Sequence, residues 1–233
     1  MTPAETRPTL RSGGLFGLAG NLLMMVSVPL APPWPTIAAP TTEVVHYFAT
    51  YQAGFLRQAW VGALGVVLLL GFAGALAALL RDRAAFASAA ALQGAMTVFV
   101  AGFAVNWTPW VAIAMRPDRD PAVVQALYDF GLIGQFVGVG APLALLFGTL
   151  VHAARLAVIP RGFALPAAAA VAVNVLLAGA TRLEGPMSPS GPVGLLSIAL
   201  FGLPLTACSV WMLVASRRTS APPATGNPGA VGA

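Results

Sequence analysis

Charge is what this chain has least of. Charged residues fill only 8% of its 233 positions, against roughly 25% in soluble domains, so a water-facing surface could not be assembled from them. Lysine is missing altogether, since all 12 basic residues are arginine. That excludes chemistry needing a primary amine: a retinal-type Schiff base, a lysine nucleophile, or the lysine of a phosphate-binding loop. The single cysteine, Cys208, permits no intramolecular disulfide, and in its apolar run it reads as a small packing residue. His46 and His152 are the only histidines. No H-x-x-H, H-E-x-x-H or Cys/His cluster goes with them, so no metal, haem or other cofactor is expected. Nucleophile motifs are missing too: there is no G-x-S-x-G, and Ser188 and Ser190 lie in a Pro/Gly loop with no histidine nearby in sequence.

What fills the chain instead is hydrocarbon. Hydrophobic residues make up 58%, and the mean hydropathy is +0.83. The composition predicts an all-α polytopic membrane protein with six transmembrane helices, over about 13–31, 59–80, 84–114, 122–154, 163–180 and 194–215. A polar segment, 1–12, precedes them, and a Pro/Gly/Ala tail, 219–233, has too little to bury and is predicted to be disordered. The first run competes with a signal peptide, but its plausible small-residue sites, Ala31 and Ala39, are each followed by proline; an uncleaved helix is expected. Between the first two spans, PPWPTIAAP leads into an amphipathic segment. There Val44, Val45, Phe48, Tyr51 and Phe55 share one helical face, suited to lying on the outer interface.

The formal charge of +5 is a topological signal, and no nucleic-acid partner is implied. With six spans both termini share a side. That side holds eight arginines (7, 11, 81, 83, 155, 161, 217 and 218), leaving Arg57, Arg116, Arg119 and Arg182 on the other. Basic residues favour the cytoplasm, so both termini are predicted to be cytoplasmic, in a plasma membrane. Trp34, Trp60, Trp107 and Trp110 fall at the outer boundary, where an aromatic belt would stand. Three spans plus three would permit an inverted-repeat transporter, but the halves show no paired Gly/Pro interruption.

The stretch richest in unusual residues is the fourth helix. On a wheel at 100° per residue, Gly131, Gly134, Gln135, Gly138, Pro142, Thr149 and His152 form one stripe. Gly134-x-x-x-Gly138 is a small-xxx-small pair that lets another helix approach. The stripe reads as a packing seam with Gln135 bonded across it, or as a polar path. Asp129 lies on the opposite side, one turn after Gln125. An acid deep in a bilayer is functional by default, but Asp129 falls where the helix outruns the ~30 Å hydrocarbon core. Two readings follow: an interfacial carboxylate, or an outward-facing ligand pocket in which Asp129 and Glu184 meet Arg57, His46 and Tyr128. Asn21, Gln93, Asn106 and Asn174 read as interhelical hydrogen-bonding amides.

Tyr47-Phe48, Ala126-Leu127-Tyr128-Asp129, the Pro160-Arg161 turn and the Gly185-Pro186…Gly191-Pro192 loop together resemble a group of uncharacterised six-helix membrane proteins common in actinobacteria. The resemblance covers most of 15–218 and implies topology, with no activity to carry over. Where such proteins often carry a histidine after the Tyr-Phe pair, this chain has Tyr51-Gln52. The function expected is that of a non-enzymatic accessory, scaffold or lipid-facing binding protein. The alternative is a small-molecule transporter or sensor built around Asp129. The partners expected are the bilayer and a second membrane protein or another copy of the chain.

Overall fold

The computed structural model describes residues 3–179 and 192–218. Arg182, Glu184, Ser188, Ser190, the Gly185–Pro192 loop motif up to Gly191, and the tail 219–233 lie outside the described residues. Among the described residues every regular element is helical. The helices are α1 (Pro3–Ser27), α2 (Thr41–Asp82), α3 (Phe86–Met115), α4 (Pro121–Ile133), α5 (Val139–Arg155), α6 (Ala164–Ala178) and α7 (Pro192–Arg218). Among the described residues five segments are long and apolar enough to cross a membrane: Glu5–Leu30, Thr41–Asp82, Phe86–Met115, Arg161–Ala178 and Pro192–Arg218. Their outward faces stay apolar, with Leu22, Val67, Val98, Leu165 and Leu203 all exposed, as hydrocarbon surroundings require and water would not reward.

Neighbouring helices in the chain pack side by side, and α7 closes the ring against α1. The backbones come very close where α1 crosses α2. A Cβ on Gly20 would stand 2.7 Å from the Gly65 carbonyl oxygen, and one on Gly65 would stand 2.7 Å from that of Gly20. Only glycine at both positions allows the crossing. Amides tie the ring further: the Asn21 side chain donates to the Gly202 carbonyl (3.1 Å) and to Thr206, while Ser197 donates to Asn174 Oδ1 (3.1 Å). Phe99, Phe147 and Phe201 pack ring against ring inside, joining α3, α5 and α7.

Alternating helix direction sorts the charges. Arg7, Arg11, Arg81, Arg83, Arg155, Arg161, Arg217 and Arg218 collect at one end of the bundle, here the arginine-rich end. Arg57, Arg116 and Arg119 lie towards the opposite, tryptophan-rich end. At the arginine-rich end two turns close through residues with positive φ, Ala84 (57°) and Ala157 (54°). Ala85 N–H reaches the Leu80 carbonyl and Val158 N–H that of Ala153, so each caps the preceding helix in left-handed geometry.

Several expectations are corrected. The first helix begins at Pro3, not near residue 13, because the polar start continues the helical face that packs on α7. The amphipathic segment is not a separate interfacial helix. It is the first part of α2, whose 42 residues make ~63 Å at 1.5 Å per residue, twice the ~30 Å core. A kink at Tyr51 (φ −107°, ψ 18°) bends it, and Val44, Phe48 and Phe55 are buried in protein. The fourth helix is broken. Between α4 and α5 the chain widens into a π turn at Gly134–Gly138. Pro142 explains it: proline has no N–H for the Gly138 carbonyl four residues back, and its ring would crowd that carbonyl, so the turn before it opens.

Candidate functional site

The tryptophan-rich end is organised around the segment between α1 and α2. After a short 3-10 turn at Val28–Leu30, its four prolines (32, 33, 35 and 40) forbid regular pairing, so its carbonyls need side-chain donors. Two helices supply them. Tyr47 of α2 donates to the Pro32 carbonyl (2.9 Å) and Tyr128 of α4 to that of Pro35. Trp34 Nε1, from the segment itself, donates back to Gln58 Oε1 (3.1 Å). The Trp110 indole donates to the Tyr128 carbonyl (3.1 Å), and Gln52 to that of Ala114 (2.6 Å). Gly54 makes room, for a Cβ there would meet the Leu30 carbonyl oxygen at 2.6 Å.

Rings fill the space under this segment. Trp34 meets Trp107 and Trp110 at centroid distances of 5.5 and 4.8 Å. Trp107 also stacks between Phe55 (5.7 Å) and Phe103 (4.9 Å). Tyr128 completes the cluster, 6.0 Å from both Phe48 and Trp110. The belt reading is therefore corrected for Trp34, Trp107 and Trp110, which pack inwards; Trp60 alone of the four is on the surface, 71% exposed.

On the other side of Trp107 runs a groove between α2 and α3, about 490 Å³ in volume. From α2 it is lined by Leu56, Ala59, Trp60, Ala63, Val66 and Val67, and from α3 by residues between Val100 and Met115. The twelve residues from Leu56 to Val67 span ~16 Å, half the ~30 Å hydrocarbon core. The groove is therefore about as long as one leaflet of such a core is thick. Its walls hold no acid, base or nucleophile other than Thr108, whose hydroxyl already donates to the Ala104 carbonyl (2.7 Å). Trp107 Nε1 is buried and meets no acceptor within the protein. Such a groove is suited to apolar matter and offers no free hydrogen-bonding group.

The pocket expected around Asp129 is not assembled as foreseen. Tyr128 is fully buried and spent on the Pro35 carbonyl. Asp129 is half-buried and accepts from Gln125 Nε2 (2.8 Å), one turn back on its own helix. Arg57 and His46 are exposed and bond along α2, to the Ala53 carbonyl (3.2 Å) and to Thr50 Oγ1 (3.5 Å). Glu184 lies outside the described residues. Among the described residues no three His, Cys, Asp or Glu side chains gather as metal ligands would.

The expected glycine seam is half right. A Cβ on Gly131 would stand 2.8 Å from the Asn106 carbonyl oxygen, and one on Gly134 would collide with the Asn106 side chain. Here α3 and the broken helix touch. Gly138 fits the same contact more loosely: Asn106 Nδ2 would be 3.9 Å from a Cβ there, an ordinary van der Waals distance. Gln135 lies half-buried within the π turn, its Oε1 buried without a donor. A π turn holds one residue more than an α turn, rotating all that follows by ~100° relative to an ideal wheel. Thr149 is buried and His152 exposed, though the wheel put them on one stripe; both follow the π turn and move with it together, and as residues i and i+3 they stand ~60° apart.

No protein-family model, curated protein or solved structure matches the chain.

Proposed function

We propose that the chain is a six-span integral membrane protein of the plasma membrane, both termini cytoplasmic, belonging with the six-helix group it resembles. On this reading α4, the π turn and α5 together make the fourth crossing, alongside the five longer spans. It works without catalysis, as an accessory or scaffold subunit whose α2–α3 groove holds a lipid acyl chain of the outer leaflet. The observation carrying this is the groove itself: apolar, about as long as one leaflet is thick, and open beside the exposed Trp60. Arg57, exposed on the helical turn before Trp60, stands towards the headgroup layer.

Quenching by brominated acyl chains tests the reading. Trp60 and Trp211 are replaced by Phe, so that fluorescence comes from the inward cluster of Trp34, Trp107 and Trp110. Bromolipid should quench this emission, and Ala63→Phe, which fills the groove from an exposed position, should remove the quenching. Equal quenching with and without Ala63→Phe would end the proposal.

A second reading draws on one observation beside Asp129: Gln125 Oε1 is buried and has no donor. A transporter or sensor of a small polar molecule would supply one there. Uptake, or ligand-induced thermal stabilisation, lost in Asp129→Ala is the result that would favour it.

A further inference from the structure

We infer that the arginine-rich end carries a second lipid site, a pocket between α1 and α7 that binds the phosphate of an anionic phospholipid. It uses other residues than the α2–α3 groove, and shares with that reading only the membrane setting. The pocket measures about 270 Å³ and is lined by Arg7, Arg11 and Leu15 of α1 and by Leu213, Ser216 and Arg217 of α7.

The sequence builds it by simple spacing. Residues 7, 11 and 15 follow each other at i, i+4 and i+8, so they share one face of α1. Residues 213, 216 and 217 do the same on α7. Just beyond the pocket the two helices touch. A Cβ on Gly14 would stand 2.7 Å from Leu213 Cγ and 2.8 Å from the Ser209 carbonyl oxygen. That contact fixes the first and last helices of the ring together and holds the guanidinium groups of both over one cavity.

Two features select the ligand. None of the lining residues is acidic, so three like charges converge at the edge of a low-dielectric layer, where they repel unless an anion joins them. Guanidinium forks match phosphate oxygens geometrically. The floor, by contrast, is Leu15 and Leu213, and the exposed face of α1 continues apolar through Leu22, Met25 and Val26. Cationic at the rim and apolar along the way out, the site fits a phosphodiester that carries acyl chains. A free phosphate ion would use only half of it.

The test is a titration of the detergent-solubilised full chain with phosphatidylglycerol, phosphatidylcholine of the same acyl chains, or inorganic phosphate, followed by native mass spectrometry. Phosphatidylglycerol should bind in preference to phosphatidylcholine. With about five-fold in affinity per arginine near an anionic surface, Arg7→Gln/Arg11→Gln/Arg217→Gln should weaken it by up to about a hundred-fold. A control, Arg83→Gln/Arg155→Gln/Arg218→Gln, removes as many charges from the same end outside the pocket and should change binding no more than a few-fold. If the pocket triple does not accumulate as folded protein, Arg11→Gln and Arg217→Gln singly carry the test, each with about a five-fold loss. Equal loss in pocket and control variants, or no headgroup preference, overturns the site. Inorganic phosphate competing at equal affinity overturns the lipid assignment. Bromolipid quenching in the α2–α3 groove is measured on the same variants, and its persistence would separate failure here from failure there.

Discussion

Removing the Tyr128 hydroxyl should loosen the segment between α1 and α2 without disturbing the rings beneath it. Tyr128→Phe keeps the aromatic contacts with Phe48 and Trp110 and deletes only the bond to the Pro35 carbonyl. That bond is buried, so the carbonyl left behind loses its partner away from water, at about 1–3 kcal/mol. Tyr47→Phe removes the neighbouring bond to Pro32, which is more accessible, at about 1 kcal/mol. Both bonds hold one segment, so the double variant should deviate from additivity. Hydrogen exchange of the amides between residues 28 and 40 reads this directly. A cost near 2 kcal/mol corresponds to exchange roughly 30-fold faster. Tyr51→Phe is the control: its ring is 40% exposed and touches Tyr47 from outside, and it should change exchange little. If Tyr128→Phe exchanges at the rate of the unaltered chain, the prolyl segment is not held by its tyrosines and the account of this end is wrong.

Other substitutions probe the packing. Gly134→Ala drives a methyl into Asn106 and should cost about 1–3 kcal/mol by overpacking, whereas Gly138→Ala, whose methyl meets only Asn106 Nδ2 at 3.9 Å, should be neutral or slightly stabilising; thermal unfolding in detergent separates them. Ala84→Gly relieves a positive φ of 57° and should stabilise by roughly 0.5–1 kcal/mol, read as a rise in melting temperature. Asp129→Asn preserves an acceptor for Gln125 and should stay within about 0.5 kcal/mol of the parent. A loss above 2 kcal/mol would show that the charge itself is held in place.

The helical class could be read from composition, because a chain with 8% charged residues has few ways to meet water. The sorting of arginines to one end was legible for the same reason. Other features were visible but misread. Gly13, Gly14, Gly17 and Gly20 recur at helical spacing, yet they looked like part of a hydrophobic run, while the seam was sought at Gly134 and Gly138. In the structure a Cβ added at any of these four would collide with α2 or α7. The π turn was signalled by Pro142 behind a glycine-rich stretch, but a wheel with a fixed angle cannot represent an extra residue in a turn. The site beneath the prolyl segment had no local signal. The Tyr128–Pro35 bond joins residues 93 apart, and the inward turn of Trp34, Trp107 and Trp110 depends on that segment folding over them. Asp129 drew attention as a rare acid, but rarity in sequence says nothing of the partner one turn away that satisfies it.

Crossing of the membrane by the broken helix is the central claim, and single-cysteine labelling tests it most directly. With the buried Cys208 changed to Ala, one cysteine is placed at Asp118, Arg161 or Arg218 and challenged with a membrane-impermeant maleimide on intact cells. The cysteine at 118 should label from outside. Those at 161 and 218 should label only after permeabilisation, because α4, the π turn and α5 carry the chain across. Labelling of 118 and 161 from the same side would make that stretch re-entrant and contradict six spans.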